Sequence, residues 1–442
     1  MKKAEKFYFI GIGGISMSAL ARILKWQGKS VCGSDRTMSA ITEKLEKEGI
    51  KVALETSADF VKWCDVCVYT GAIPKNHPDI VLAKKLGKTL CSRAELLGQL
   101  SANRKCVSVA GTHGKTTTTA MILSVLTETA LDPTVHVGGI VNSIKDNVLF
   151  GNGELFLTEA CEYQDSFLSL RSYISVVLNV EEDHLDYFQN YQNLLNSFKK
   201  FAQNTEEDGF LVVNRKIKEL FADVKATLLT YGFSAEEDYF AKCVCRKGDG
   251  TYSFQVFEKG EFLFDAKLPV FGEHNVENSL AAIAACRALG VKAEIIKKGL
   301  ENFAGVGRRM EKVSEVPLVY HDYAHHPTEI KASINGLSVL GRKIVVVFQP
   351  HTFTRTRDLY DGFLDCFGGA EKVFLLPIYP AREKQIAGVS SQNFALELEK
   401  RGFSSEFVSC FEECKGKIDS LSTEYVFLLL GAGDIEKMTK LF

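Results

Sequence analysis

No stretch of the 442-residue chain approaches the roughly 18 consecutive apolar residues that a membrane-spanning helix requires, and the longest runs, such as Val426 to Leu430, are strand-sized. The basic start, Met1 to Lys6, leads into an apolar stretch that breaks at once on glycines. It lacks a leader peptide's apolar core and cleavage site, so a cytoplasmic location is expected, with no membrane partner. There is no excess of one charge: 53 Lys and Arg face 55 Asp and Glu, a formal net charge of −2. That balance argues against a nucleic-acid partner, whose backbone demands a strong basic excess, yet leaves room for a local pocket for a small anion. The 12 cysteines lie scattered. Cys64-x-x-Cys67 precedes a strand and has no second pair, so buried free thiols are expected rather than a zinc or redox centre. Internal repeats and low-complexity segments are lacking, and no obligate protein partner is evident.

What is present is an ordinary globular mix, 46% hydrophobic and 24% charged, long enough for about three domains. Phe7 to Ile10 is a short apolar strand that runs into Gly11-Ile-Gly13-Gly14-Ile15-Ser16, followed by a helical pattern from Met17 to Trp26. Ser30 to Cys32 and Val66 to Tyr69 continue a strand–loop–helix–strand alternation, which predicts a doubly wound sheet over residues 1–103. A second unit, 104–309, starts over with a strand at Cys106 to Ala110, a loop at Gly111 to Thr116 and a helix at Thr117 to Thr129. Further strands are predicted at Leu155 to Leu157, Ile174 to Leu178 and Phe210 to Val213, with antiparallel decoration from Asp238 to Leu268 and a helix from Asn275 to Ala288. A third unit, 310–442, has strands at Leu318 to His321, Ile344 to Phe348, Val373 to Ile378 and Tyr425 to Leu430. The fold class is therefore α/β in three domains: Rossmann-like, P-loop-type mononucleotide-binding, and Rossmann-like again.

The sharpest signal is Gly111-Thr112-His113-Gly114-Lys115-Thr116-Thr117, placed between a strand and a helix. Such a loop lets backbone N–H groups close on phosphate oxygens, while the helix N-terminus and Lys115 supply positive charge. The Thr116 hydroxyl is placed to ligate Mg²⁺. The common P-loop spacing would put a further glycine at position 109, where this chain has Val109, so Gly-x-x-Gly-Lys-Thr stands in its place.

Gly11-x-Gly13-Gly14 has the look of a dinucleotide fingerprint, with Asp35 22 residues past Gly13 to meet a ribose hydroxyl, but Ser16 occupies the third glycine's place. A nucleotide diphosphate of some kind is indicated, NAD being one candidate. Ser34, Thr70 and Gly71 also lie at strand ends, where such sheets bind ligands. In the middle unit Glu159 ends the Leu155 strand beside the phosphate loop, the expected place of a Mg²⁺ ligand, while Glu162 reads as an exposed charge. His184 sits among Glu181, Glu182, Asp183 and Asp186 and is a further candidate metal ligand. Asn275 and Asn278 share one helical face and could read an adenine edge, or one of them could simply cap the helix. Arg308 and Arg309 offer two guanidiniums for a phosphate or carboxylate.

Taken in order, the Gly11 loop, Gly-Thr-His-Gly-Lys-Thr, Glu-Ala-Cys-Glu-Tyr, Asp-His-Leu-Asp, His-Asn-x-x-Asn, Gly-Val-Gly-Arg-Arg with Asp-Tyr-Ala-His-His-Pro-Thr-Glu, and Gln-Pro-His-Thr-Phe-Thr-Arg-Thr cover nearly the whole chain. This set resembles the Mur ligase family. The resemblance implies ATP on Gly111 to Thr117, with adenine near His274, Asn275 and Asn278, and Mg²⁺ at Thr116, Glu159 and His184. It implies the substrates UDP-N-acetylmuramate and L-alanine, the UDP sugar lying on Gly11, Gly13, Gly14, Ile15, Ser16 and Met17 and near Ser34, Asp35, Thr70 and Gly71. Arg308 joins Lys115, Glu159 and His184 as an expected catalytic group. Arg309, Asp322 and Tyr323 are expected toward the nucleotide, and His325, Arg355 and Arg357 toward the substrate. A tripeptide-accepting ligase of the same family, an NAD-dependent oxidoreductase with a fused P-loop module, and a nucleotide-switched binding protein are the rival readings.

Overall fold

The computed structural model describes residues 4–421 and 423–442. Met1 to Lys3 of the basic start, and Ser422, lie outside the described residues. The strands pair into three sheets, and the chain divides into two compact units. One comprises 1–180, 194–230 and 284–291; the other comprises 181–193, 231–283 and 292–442.

The first unit contains the parallel N-terminal sheet and the parallel core of a larger, mixed sheet. In the N-terminal sheet Lys6–Ile10 lies between Ser30–Asp35 and Val66–Tyr69, with Lys51–Leu54 and Thr89–Ser92 at the edges. Tyr8, Phe9 and Ile10 are buried on both faces, as a strand flanked by helices requires. The helix Ile15–Trp26 buries Met17 to Leu24. Each aliphatic or aromatic side chain removed from water here contributes about 1.5–3 kcal/mol. Chain order reverses around Lys6–Ile10, so the crevice beyond Ile10 is a topological switch point, where such sheets take ligands.

The central strand of the next sheet, Lys105–Ala110, pairs in parallel with Leu155–Glu159 on one side and Ser172–Val177 on the other. Thr134–Val141 and Asp146–Leu149 form a hairpin beyond Leu155–Glu159, and Thr205–Asn214 extends the sheet beyond Ser172–Val177. Phe167 stacks on Phe201 and meets Phe198 edge-on, at 4.7 and 5.2 Å between centroids. The phosphate-loop helix runs Lys115–Leu126 rather than beginning at Thr117, because Gly114 adopts φ +85° and caps it directly.

In the second unit Tyr239–Arg246, Tyr252–Glu258 and Glu261–Leu268 form the antiparallel meander that the sequence predicts. The C-terminal sheet runs in the order Glu311–Glu315, Leu318–Asp322, Tyr425–Leu430, Lys343–Phe348, Ala370–Leu375, Ser405–Phe407, parallel except for the first pair. Val346 and Phe348 pack with Phe363, Phe367 and Phe394 on one face, while Val345 and Val347 pack with Ile435 and Met438 on the other. The strand predicted to reach Ile378 stops at Leu375, since Pro377 has no N–H for the ladder.

The cysteines are free. Eight are buried, including Cys64 and Cys67 with their sulfurs 3.3 Å apart, but Cys243, Cys245 and Cys410 are exposed, contrary to the uniform burial expected. No helix among the described residues is long and apolar enough to cross a membrane.

Candidate functional site

Two glycine loops in the first unit stand at the carboxyl ends of its two central strands. In the first, the Gly11 and Ile12 N–H groups donate to the Ser34 carbonyl, at 2.8 and 3.0 Å. Asp35 accepts from the Gly13 N–H at 2.8 Å, and a Cβ at Gly13 would lie 2.9 Å from the same carboxylate oxygen. Gly13 is thus required by close approach, and Asp35 shapes the loop as well as facing its crevice. Thr70 adjoins Gly11, where an added Cβ would touch its methyl group at 3.5 Å. The Ser34 side chain is a correction to expectation: it is fully buried with its hydroxyl 2.6 Å from the Tyr8 Oη, so only its carbonyl serves the loop. Met17 is likewise a core side chain. Gly14, Ile15 and Ser16 form the helix start.

In the second loop Gly111 takes φ +144°, and a Cβ there would meet the Leu178 Cβ at 2.9 Å. Asn179 ties the loop down: it accepts from Thr112 N–H on its carbonyl and from His113 N–H on Oδ1, and its amide donates to the His113 carbonyl. Thr116 and Thr117 occupy the first helical turn, partly exposed. Lys115 Nζ donates to the Gly111 and Thr112 carbonyls and lies 2.9 Å from a Glu162 oxygen. Burial, the largest single influence, would lower the Lys115 pKa, but the charge and hydrogen bond of Glu162 together with Cys161 and Glu159 outweigh it and the value is raised, so the ammonium stays charged. Glu162 is 2% exposed. The expectation of an exposed charge is overturned, because the lysine supplies the partner that a buried carboxylate needs.

Glu159 ends its strand and accepts from the Gly138 N–H at 2.6 Å, and a Cβ at Gly138 would lie 2.7 Å from its other oxygen. Asn179, Glu162 and Gly138 were missed as site residues. Of these, Asn179 directly follows an apolar strand, a placement that could have marked it. The two loops also share a wall, for a Cβ at Gly71 would collide with the Gln164 amide, two residues past Glu162.

The second unit gathers polar groups at the carboxyl ends of its C-terminal sheet. Arg355 reaches Asp183 with Nε and Nη2 at 3.2 and 3.1 Å and has Nη1 3.2 Å from His351 Nδ1. Burial would raise the Asp183 pKa, but His184, Arg355 and His325 hold it well below the ordinary carboxylate range. His184 has φ +55° and begins the short helix Leu185–Phe188, its Nε2 3.6 Å from Asp183. His325 has Nδ1 3.0 Å from the Tyr323 carbonyl and lies 6.1 Å from His351 between rings. Arg308 and Arg309 both stack over Tyr323, at 4.7 and 5.2 Å, and Arg308 also pairs with Glu436. Asp322 is buried and accepts from Met310 and Ala324 N–H. Burial, against the pull of Arg309, raises its pKa to about 6. Arg357 is not in this row; it is half-exposed and paired with the adjacent Asp358. His274 begins the helix His274–Ala288, where Asn275 donates to the Phe271 carbonyl and Asn278 donates to Asn275 Oδ1. The two amides form one hydrogen-bonded edge.

A lysine-bearing glycine loop after a strand with parallel neighbours on both sides, and a second glycine loop on another sheet, define a nucleotide-binding α/β protein. The chain belongs to the Mur ligase family: the family's catalytic domain matches residues 6–105, the Mur ligase middle domain 109–286 and the Mur ligase glutamate ligase domain 308–433. It is 40% identical to a UDP-N-acetylmuramate–L-alanine ligase of Caldicellulosiruptor saccharolyticus over 99% of this chain and 98% of that one. A protein of the same name from Clostridium tetani is 41% identical over 100% and 98%. The crystal structure of the UDP-N-acetylmuramate–alanine ligase of Thermotoga maritima aligns with TM-score 0.83 at 30% identity, covering 99% of this chain and 98% of that one. A murein peptide ligase of Psychrobacter arcticus shares the fold, with TM-score 0.74 at 21% identity and 99% and 98% coverage.

Proposed function

We propose that this protein joins L-alanine to the lactyl carboxylate of UDP-N-acetylmuramate at the expense of ATP, in cytoplasmic synthesis of a peptidoglycan precursor. The observation that carries this reading is 40% identity across essentially the whole length to relatives bearing that name. Free cysteines throughout agree with a reducing compartment.

The chemistry follows from the loops. Gly111 to Thr117 would receive the triphosphate on backbone N–H groups and the helix N-terminus. Lys115 would leave Glu162 for the phosphate and neutralise charge on the transferring phosphoryl oxygens. The sugar's diphosphate would lie on the Gly11 loop. A carboxylate oxygen of the sugar attacks the γ-phosphorus, the bond to the β-phosphate oxygen breaks, and ADP leaves an acyl phosphate. The deprotonated amine of alanine then attacks the acyl carbon, and the tetrahedral intermediate expels phosphate. Thr116 and Glu159 are hard oxygen donors at the carboxyl ends of neighbouring strands, a donor set suited to Mg²⁺. When bound, the ion would neutralise phosphate charge.

The direct test is phosphate release from Mg·ATP with UDP-N-acetylmuramate, with and without L-alanine. Alanine-dependent release is expected. Release that needs a tripeptide instead would move the chain to the recycling branch, and ATP binding without release would make it a switch.

A further inference from the structure

The first unit contains a hydrogen-bonded chain, centred on His136, that runs from the helix behind the Gly11 loop to the strand end carrying Glu159. His136, on the strand Thr134–Val141, is 2% exposed. Its Nε2 lies 2.9 Å from Ser16 Oγ, in the first turn of the helix behind the Gly11 loop, and its Nδ1 lies 2.9 Å from Thr158 Oγ1. Arg93 Nη1 reaches Ser16 Oγ at 3.2 Å, and the Thr158 hydroxyl donates to the Glu159 carbonyl at 3.0 Å.

These contacts admit one polarity. Arginine only donates, so Ser16 Oγ accepts from it. The single Thr158 proton is spent on the Glu159 carbonyl, so Nδ1–H must donate to Thr158. A neutral imidazole then presents Nε2 as acceptor, and Ser16 donates its one proton there. The bonds run in one direction, from Arg93 through Ser16, His136 and Thr158 to the backbone of Glu159, with both ring nitrogens of the buried His136 used, and such a network favours one arrangement of its members.

The surroundings stiffen the link. The same helix is held to the same hairpin by the bidentate pair Arg22–Asp146, both bonds at 2.8 Å, and by Asn147 Nδ2 on the Ile15 carbonyl at 2.8 Å. Two residues beyond His136, the Gly138 N–H holds the Glu159 carboxylate. One strand thus touches the first cradle's helix at one end of the chain and aims the acid of the second at the other.

We propose that His136 is a positioning residue that couples the two nucleotide sites: through Ser16 and Thr158 it sets the helix turn behind the Gly11 loop in register with the strand end carrying Glu159, so that the nucleotide sugar and Mg·triphosphate bind cooperatively. The inference rests on the functional reading above for the identity of the ligands. A merely structural histidine would change stability, or both affinities alike, without changing their ratio.

The test is calorimetric titration of the full-length protein with Mg²⁺ and a non-hydrolysable ATP analogue, with and without saturating UDP-N-acetylmuramate. In the wild type the sugar nucleotide is expected to tighten the analogue about tenfold, an ordinary coupling between sites. In His136→Val that ratio is expected to fall below about threefold, while either ligand alone binds within about threefold of wild type. Ser16→Ala and Thr158→Val cut the same chain at each end with minimal change of volume and are expected to lose the ratio too, so the inference stays testable if His136→Val does not fold. Absence of coupling in the wild type, or coupling that survives Ser16→Ala and Thr158→Val, overturns the inference alone. Failure of the wild type to bind UDP-N-acetylmuramate overturns the functional reading and this inference with it.

Discussion

Lys115 and Glu162 form a close ion pair, 2.9 Å between Nζ and a carboxylate oxygen, with the acid almost wholly buried. The pair gives the loop lysine a buried partner, so the proposed role of Lys115 joins stability and activity at one residue. Lys115→Ala is expected to strand the buried carboxylate and destabilise the protein by about 3–5 kcal/mol. It should also cut phosphate release by about 10²–10³-fold, as loss of one preorganised charge does. The double substitution Lys115→Met, Glu162→Leu should restore much of the denaturant midpoint and none of the turnover. Near-normal turnover in Lys115→Ala would remove the loop's assigned role.

Glu159 is held by the Gly138 N–H with no room for a Cβ. Glu159→Gln keeps the shape and removes the charge. It should leave the melting temperature within a few degrees and weaken Mg²⁺ binding, seen as a rise of about tenfold or more in the Mg²⁺ concentration for half-maximal phosphate release. An unchanged Mg²⁺ titration would take Glu159 out of the metal set.

Arg355 and Asp183 are both largely buried. Arg355→Ala should destabilise by about 3–5 kcal/mol, because the carboxylate loses its main guanidinium partner. Asp183 has a depressed pKa in the fold, so its contribution is present above the unfolded value near 3.9 and is lost as pH falls through the lower folded value. The deficit of the variant should therefore be full above about pH 4 and narrow below it as the wild type loses the same contribution, measured by urea midpoints of both proteins across pH.

His136 and His351 are held neutral, with pKa values lowered to about 3 and about 4, burial being the largest cause and Arg93 and Arg355 respectively adding to it. A histidine with a depressed folded value stabilises the fold fully above its unfolded value near 6.5, and that contribution is lost as pH falls toward the folded value. Stability should decline from about pH 6.5 to 4, and His136→Val should flatten that slope. A slope unchanged in that variant would mean the imidazole is not neutral in the fold.

Gly111→Ala places a Cβ 2.9 Å from the Leu178 Cβ and forces φ +144° on an L-residue. Binding of the ATP analogue should weaken by about tenfold or more, because strain of about 1–3 kcal/mol falls on the loop itself. Gly28→Ala, where nothing lies within 4 Å despite φ +83°, is the control for backbone strain alone. It should cost some stability and spare binding.

Local signals made the main elements readable. Apolar runs such as Phe7 to Ile10 and Cys106 to Ala110 are strands because they are short, buried on both faces and followed by glycines, and the loops after them stand at switch points by the rule of parallel sheets. The edge strands Lys51–Leu54 and Thr89–Ser92 were not readable, since an edge needs only half its side chains apolar.

The order of loops, acids and asparagines along the chain was enough by itself to determine the family, the three-part α/β plan and the place of the lysine-bearing glycine loop between a strand and a helix, because each rests on residues within a few positions of one another. Tertiary structure alone decided that Glu162 is buried on Lys115, that Ser34 turns inward to Tyr8, that Asn179 anchors the loop and that His136 links Ser16 to Thr158. Those partners stand 26 to 120 residues apart for all but the shortest of the links. A carboxylate or imidazole reads the same in sequence whether solvated or buried; only the group folded against it fixes its charge, its tautomer and what it can hold.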